Sequence, residues 1–475
     1  MINILYWKSG VNINKFSETE IIVSLPIITF VNHASVIFSY KKIHLITDPW
    51  LFGSAFNNNW DLISKSKMQI KDFENITHIW FSHEHPDHFA IQVLRSIPEE
   101  IRKKIHVLFQ DTLDHRVAKK CREFGFHVTE MKHNKLYKLD DEFNVKCNPY
   151  GFYDSWLYLE IGRKKILNIN DCGIDSYSQS KYVRKFTGDI DLLLTQYGYA
   201  ARIGDPEDVD LRKAASKEKL NRIKIQTEVF NPKQTIPFAS FIYFSHVDNA
   251  YMNDQVNKIR NVEQFIKHKT NTSPIILYPG DKWTIGEERN NAKSIGLYEQ
   301  DFAAEHKFYE NSPVITLEEL KKLGDIYNKK IRDRNNWFLI KFFHSISFFK
   351  TAKIYLKDLE IPVLFDLING VQKSNFLKNN ADIITDSDSL AFALKFDYGS
   401  ETIFVGARFR RSGGNSLNFL RSFMIGTLNN NGRTFPLGVI SFLLKERGVW
   451  KGMFLQALIG RDDLDQITAD SVHKK

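Results

Sequence analysis

Cysteine is scarce in this chain: Cys121, Cys147 and Cys172 are the only three in 475 residues, and no two form a CxxC pair. That excludes a disulfide framework and a cysteine-based zinc finger, and it fits a reducing cytoplasm. Long apolar runs are also missing. The most apolar stretches, 338–349 and 435–444, are interrupted by Lys341 and His344 and by Pro436, well short of the roughly 18 residues a span requires. No transmembrane segment is expected. The opening MINILYWKSG has no apolar signal core. Repeats and low-complexity tracts are absent.

What is present is an ordinary globular composition with an excess of phenylalanine (37 residues) and a formal net charge of +9. The positive balance favours acidic partners: an anionic small molecule, a nucleotide or a membrane surface. Basic residues gather at Arg212, Lys213, Lys217, Lys219 and Arg222 at helical spacing, either a solvated helix face or an anionic-substrate element. No basic stripe interleaved with aromatics accompanies them, so nucleic acid is not an expected partner.

The length implies more than one domain. Up to about residue 110, short alternating segments read as strands at 21–26, 28–31, 35–40, 43–47 and 77–82, with helices at 89–97 and 113–124. Strands resume at 143–150, 156–161 and 165–170. This pattern predicts an α/β chain with two sheets layered between helices over 1–315. Residues 316–380 read as a helical linker, and 381–475 as a small α+β domain with strands at 390–395 and 402–409.

The chemistry is concentrated at His83-Glu84-His85-Pro86-Asp87-His88, where a strand runs into four metal-ligand side chains. His83 and His85 are two apart, so an extended backbone points both to one side. Pro86 ends that run and places Asp87 and His88 at the start of a helix. One metal can take His83 and His85 and a second Asp87 and His88, with donors that suit zinc, iron or manganese.

This HxHxDH order resembles the signature of the metallo-β-lactamase superfamily, which implies an αββα sandwich holding two metals. Asn32-His33-Ala-Ser and Thr47-Asp48-Pro-Trp resemble its early strand ends. Asn168-Ile-Asn-Asp171 resembles the strand whose aspartate bridges the metals, and Phe241-Ile-Tyr-Phe-Ser-His246 the later strand ending in a histidine ligand. The histidine usually found before the bridging aspartate is missing. Asp154 occupies that region, as a substitute ligand or as a solvated turn residue.

Several segments are similar to the metallo-β-lactamase-like part of the CMP-N-acetylneuraminate hydroxylase family: 48–56, Thr195-Gln-Tyr-Gly-Tyr, 237–246 and Tyr278-Pro-Gly-Asp-Lys-Trp. The Cys-x-His and Cys-x-x-His pairs of that family's Rieske centre are lacking, so redox chemistry would need an external electron donor. The resemblance implies two divalent metals, iron before zinc or manganese, and a monooxygenase. The alternatives are a two-metal hydrolase of a phosphodiester, lactone or amide, with Asp87 orienting water, or a binding protein with a vestigial site. Tyr197, Tyr199, Arg202 and Lys282 follow metal-bearing strands and are candidate contacts for a small anionic substrate such as a sugar nucleotide or thioester. Residues 380–465 faintly resemble a sterol-carrier-protein type 2 fold, as an apolar cover or a homodimerisation unit.

Overall fold

The computed structural model describes residues 25–441, apart from 152, 311 and 439. Two seven-stranded sheets face each other. The first runs in the order Lys282–Thr284, Ile27–Asn32, Ser35–Tyr40, Ile43–Thr47, His78–Trp80, His106–Gln110, His127–Met131. The second runs Ser273–Pro274, Gln234–Phe238, Leu192–Gln196, Lys164–Asn170, Asp154–Ile161, Phe143–Tyr150, Tyr137–Asp140.

Alternation decides which residues lie between the sheets. Phe30, Phe38, Leu45 and Trp80 meet Val145, Leu157, Ile166 and Leu194 in the inner core. Val31, Ile46, Ile79 and Val107 point the other way and are covered by Val93 and Leu94 of helix Ile91–Ser96 and Val117 of helix Arg116–Glu123. On the far side, Trp156, Tyr158 and Leu167 pack against Val183 of helix Tyr177–Thr187 and Phe230 of helix Val209–Phe230. This is the expected αββα layering.

Residues 21–24 of the first expected strand lie outside the described residues, and the strand that follows begins at Ile27. The later part of the chain departs further from expectation. Helices Leu317–Arg334 and Trp337–Ser345 form as the 316–380 pattern implies, but Ala352–Leu356, Ile361–Asp366 and Gly370–Lys373 are strands. With Ile383–Thr385 and Arg410–Arg411 they make a five-stranded sheet, so the α+β unit starts well before 381. Both segments read as strands there are helical: Ser387–Lys395 and Gly399–Val405. Asp386 caps the first by accepting from the Ser389 amide, a local signal that outweighs a short apolar run. Residues 439 and 442–444 of the apolar stretch 435–444 lie outside the described residues. Among the described residues, no helix is long and apolar enough to cross a membrane.

Candidate metal centre

The site forms where strand ends from both sheets converge. Strand Ile43–Thr47 runs parallel to His78–Trp80, with Thr47 opposite Trp80, and this register carries Asp48 alongside the residues that follow Trp80. The Asp48 amide donates to the Trp80 carbonyl at 3.0 Å. From Phe81 the chain leaves the sheet, and the His88 and Phe89 amides both return to the His85 carbonyl. The motif is therefore a closed turn ahead of helix Ile91–Ser96 rather than the helix start itself. Three residues around it, His33, Asp48 and Asn170, hold positive φ of 39°, 38° and 45° at the ends of their strands. Such backbone is costly for residues with a side chain and is concentrated at functional sites.

His83, Asp87 and His88 are buried, and so is His33. His88 lies at the middle of the cluster. Its Nε2 is 3.2 Å from Asp87 Oδ2 and 3.3 Å from Asp171 Oδ2. His33 Nε2 stands 3.4 Å from the same Asp87 oxygen. His83 Nε2 is 2.9 Å from His85 Nδ1, and His83 Nδ1 is 3.7 Å from Asp154 Oδ1. Two overlapping sets have ligand atoms within 4.8 Å of one another: His33, Asp87 and His88, and His83, His88 and Asp171.

Electrostatics follow from this crowding. Burial pushes the His83 and His85 imidazoles below their ordinary range. For His88 burial acts the same way, but Asp87, Asp171 and Asp48 outweigh it and hold its proton affinity well above ordinary. Burial alone would raise Asp87; His88 and His33 bring it well below the carboxylate range. Asp154 is lifted to about 7, first by burial and then by Asp171.

A cation fits this donor set. His33 Nδ1 and Nε2, His85 Nε2, His88 Nε2, Asp87 Oδ1 and Asp171 Oδ1 are buried without a hydrogen-bond partner among the described residues. Each such group costs about 1–3 kcal/mol when left unsatisfied, and grouped around carboxylates they are the lone pairs a metal ion takes. Outside the cluster, Asp48 accepts from the Ser82 amide and hydroxyl at 2.8 Å each and lies 3.1 Å from His88 Nδ1. A carboxylate can only accept, so the imidazole proton sits on Nδ1 and Nε2 faces inward with its lone pair free for a cation.

Of the expected ligands, the structure brings His83, His85, Asp87, His88 and Asp171 together, with Asp154 beside them. His246 is not in either set. Its Nδ1 accepts from the Asp248 amide at 3.1 Å, and its Nε2 is 3.4 Å from Ser312 Oγ at the seam with the C-terminal unit. Burial, and then Arg408, hold its pKa down at about 4. Conversely, His33 and Asp48 enter roles that the sequence reading did not give them. Their only signal was a histidine and an aspartate at successive strand ends.

The expected substrate contacts take up the following places. Tyr197 is buried in the inner core against Phe241. Tyr199 donates to the Met252 carbonyl. Arg202 pairs with Asp205 at 2.7 Å and lies over the Phe409 ring. Lys282 is on an edge strand opposite Thr29. The basic helix divides by residue: Arg212 is buried on the Asp254 carboxylate, whereas Lys219 donates to Gln196 Oε1 at 2.6 Å. Burial, with Arg222 nearby, brings Lys219 down to about 7, and Asp171 and Asp175 act against that shift.

Comparison with known proteins finds the following similarities. Residues 27–149 match the family model described as Beta-lactamase superfamily domain. The cytidine monophosphate-N-acetylneuraminic acid hydroxylase of Xenopus laevis is 21% identical over 270 residues, 53% of this chain and 44% of that protein. The chain thus spans less than half the length of that relative. Among solved structures, the diiron β-hydroxylase CmlA from Streptomyces venezuelae is similar with a TM-score of 0.41 and 15% identity, over 55% of this chain and 54% of CmlA. The metallo hydrolase Igni18 from Ignicoccus hospitalis has a TM-score of 0.38 and 14% identity, over 56% of this chain and all (100%) of Igni18.

Proposed function

Since residues 27–149 are a β-lactamase-superfamily domain, we propose that the chain is a dinuclear-metal enzyme, a non-haem diiron hydroxylase acting on a small anionic molecule. The observation that carries this reading is His88: one buried imidazole nitrogen lies within 3.3 Å of two carboxylates and is common to both ligand sets. His33, His83, His85, His88, Asp87 and Asp171 would hold the metals, and Asp154 would complete one of them. Oxygen donors from two or three carboxylates favour iron or manganese over zinc. Bound there, a pair of irons supplies oxygen activation, with electrons from an external donor.

The chain's own residues do the rest. Asp48 fixes the His88 ring through Nδ1, and Ser82 and Asn170 in turn hold Asp48. Asp154, with Oδ1 3.7 Å from His83 Nδ1, would close the ligand shell on that side. Lys219, whose Nζ donates to Gln196 Oε1, gives the same region a hydrogen-bond donor for an anionic group. Four imidazoles grouped with these carboxylates also suit zinc, which supports a second reading as a two-metal hydrolase of a phosphodiester, lactone or amide.

Elemental analysis of protein purified without added metal separates the two. The hydroxylase reading expects about two irons per chain, as in a dinuclear site, and an optical change when the reduced protein meets oxygen. Zinc content with oxygen-independent turnover overturns it in favour of hydrolysis. Under either reading His85→Ala and Asp171→Ala lose metal.

A further inference from the structure

A cavity of about 780 Å³ lies between the sandwich and the C-terminal unit. One wall is Phe56, Phe89 and Phe109, and the opposite wall is Phe392 and Phe396 from the C-terminal unit. Its lining includes, at the floor, Glu84 and Pro86 of the HEHPDH turn together with Tyr153 and Tyr398, but none of the ligand side chains. Tyr153 and Tyr398 meet edge to face at 5.3 Å, and their rings stand 5.9 and 6.4 Å from that of His85. Phe56 packs on the same imidazole at 5.6 Å. Tyr398 donates to Glu84 within the HEHPDH turn, and Tyr153 donates to Glu401 at 2.7 Å. Each unit thus sends a tyrosine to the floor and ties it to an acid of the other.

Charge on the walls is already matched in one sign. Asp114 and Asp397 share Arg116, Asp111 pairs with Lys132 at 2.7 Å, and Glu84 is taken by Tyr398. The exposed rim residue Lys395 has no carboxylate partner among the described residues; its ammonium stands 5.4 Å from the Phe396 ring centre. The volume is that of a small-molecule site, and the lining joins these aromatic rings to polar and charged side chains such as Asp111, Arg116 and Asn431.

We propose that this cavity, completed by the C-terminal unit, holds the body of the metal centre's substrate. That substrate is an amphiphile, with an apolar or aromatic body between the phenylalanine walls and an anionic group answered by Lys395 at the rim. The proposal rests on the dinuclear reading of the adjoining cluster and narrows it. A bare sugar phosphate would leave the exposed Phe396 ring unused.

The test uses the full chain loaded with cobalt(II), with 2-naphthoate and its uncharged amide as probes, followed by calorimetry and by the cobalt absorption bands. Naphthoate is expected to bind one per chain and to shift the cobalt bands. Phe396→Asp, at a side chain 46% exposed and so tolerant of change, is expected to weaken both probes by about 10–100-fold, the worth of burying one aromatic ring. Lys395→Glu is expected to weaken naphthoate alone by roughly three- to five-fold, as for an exposed ion pair. Both variants should keep wild-type cobalt content. A chain that takes up no cobalt overturns the metal-centre reading. A chain that loads cobalt but binds naphthoate equally well after Phe396→Asp, or binds it without moving the bands, overturns the cavity proposal alone.

Discussion

Asp48 shows how much a single side chain outside the ligand set decides. It is fully buried and receives the Ser82 amide, the Ser82 hydroxyl and the Asn170 amide group while facing His88 Nδ1. Asp48→Asn puts an amide where only an acceptor serves, so His88 loses its fixed tautomer. Metal affinity is expected to fall by about 10–100-fold, read by chelator competition; unchanged affinity would detach Asp48 from the centre. A paired substitution tests the cluster's membership. His33→Ala should lower metal content, and His246→Ala, at a residue outside both ligand sets, should leave it intact. The reverse result would restore His246 as a ligand in place of His33. The HEHPDH residues were legible because their spacing is local. His33 and Asp48 were not legible as functional groups, because what makes them so is sheet pairing and left-handed backbone that bring distant strand ends together.

At the scale of elements, sheet pairing also builds a feature that no motif announced. His78, His106 and His127 sit opposite one another on three adjacent parallel strands. Their rings stand 5.8 and 6.3 Å apart in near-parallel planes. Burial, then the neighbouring His106, lowers His78 to about 4 from the ordinary imidazole value of about 6.5. The folded chain therefore keeps His78 neutral while the unfolded chain takes up a proton first. Its contribution to stability is full above pH 6.5 and is lost as pH falls towards 4. His78→Asn, which cannot titrate, should flatten that part of the curve of denaturation midpoint against pH relative to wild type. An identical slope in both proteins would remove His78 as a cause. The strands themselves were readable where apolar and polar residues alternate, as at Ser35–Tyr40. The C-terminal unit was not, since 352–373 lies among helix formers and Ser387–Lys395 is a short apolar run that either element accommodates. Packing against the five-stranded sheet decides between them there.

Across the whole molecule, the seam between sandwich and C-terminal unit is polar and buried, unlike a loose linker contact. Asn249 donates to both the Asn59 and Gly406 carbonyls. Arg411 reaches Asp205 at 2.9 Å, and Arg116 reaches Asp397 at 2.7 Å. Ala407 joins the apolar cluster under the first sheet. Units tied this way should open together, so a ligand that binds one stabilises the other. That gives a test needing no substrate. With metal at about 100 times its dissociation constant, linkage adds about 2.7 kcal/mol to global unfolding. If the seam couples the units, amides of Ala352–Leu356 and Ile361–Asp366, paired within the C-terminal sheet, should gain protection by that amount in hydrogen exchange. Protection confined to the sandwich strands would mean that the C-terminal unit opens on its own. The tyrosine pair over His85 would then be a contact made and broken independently of the metal centre.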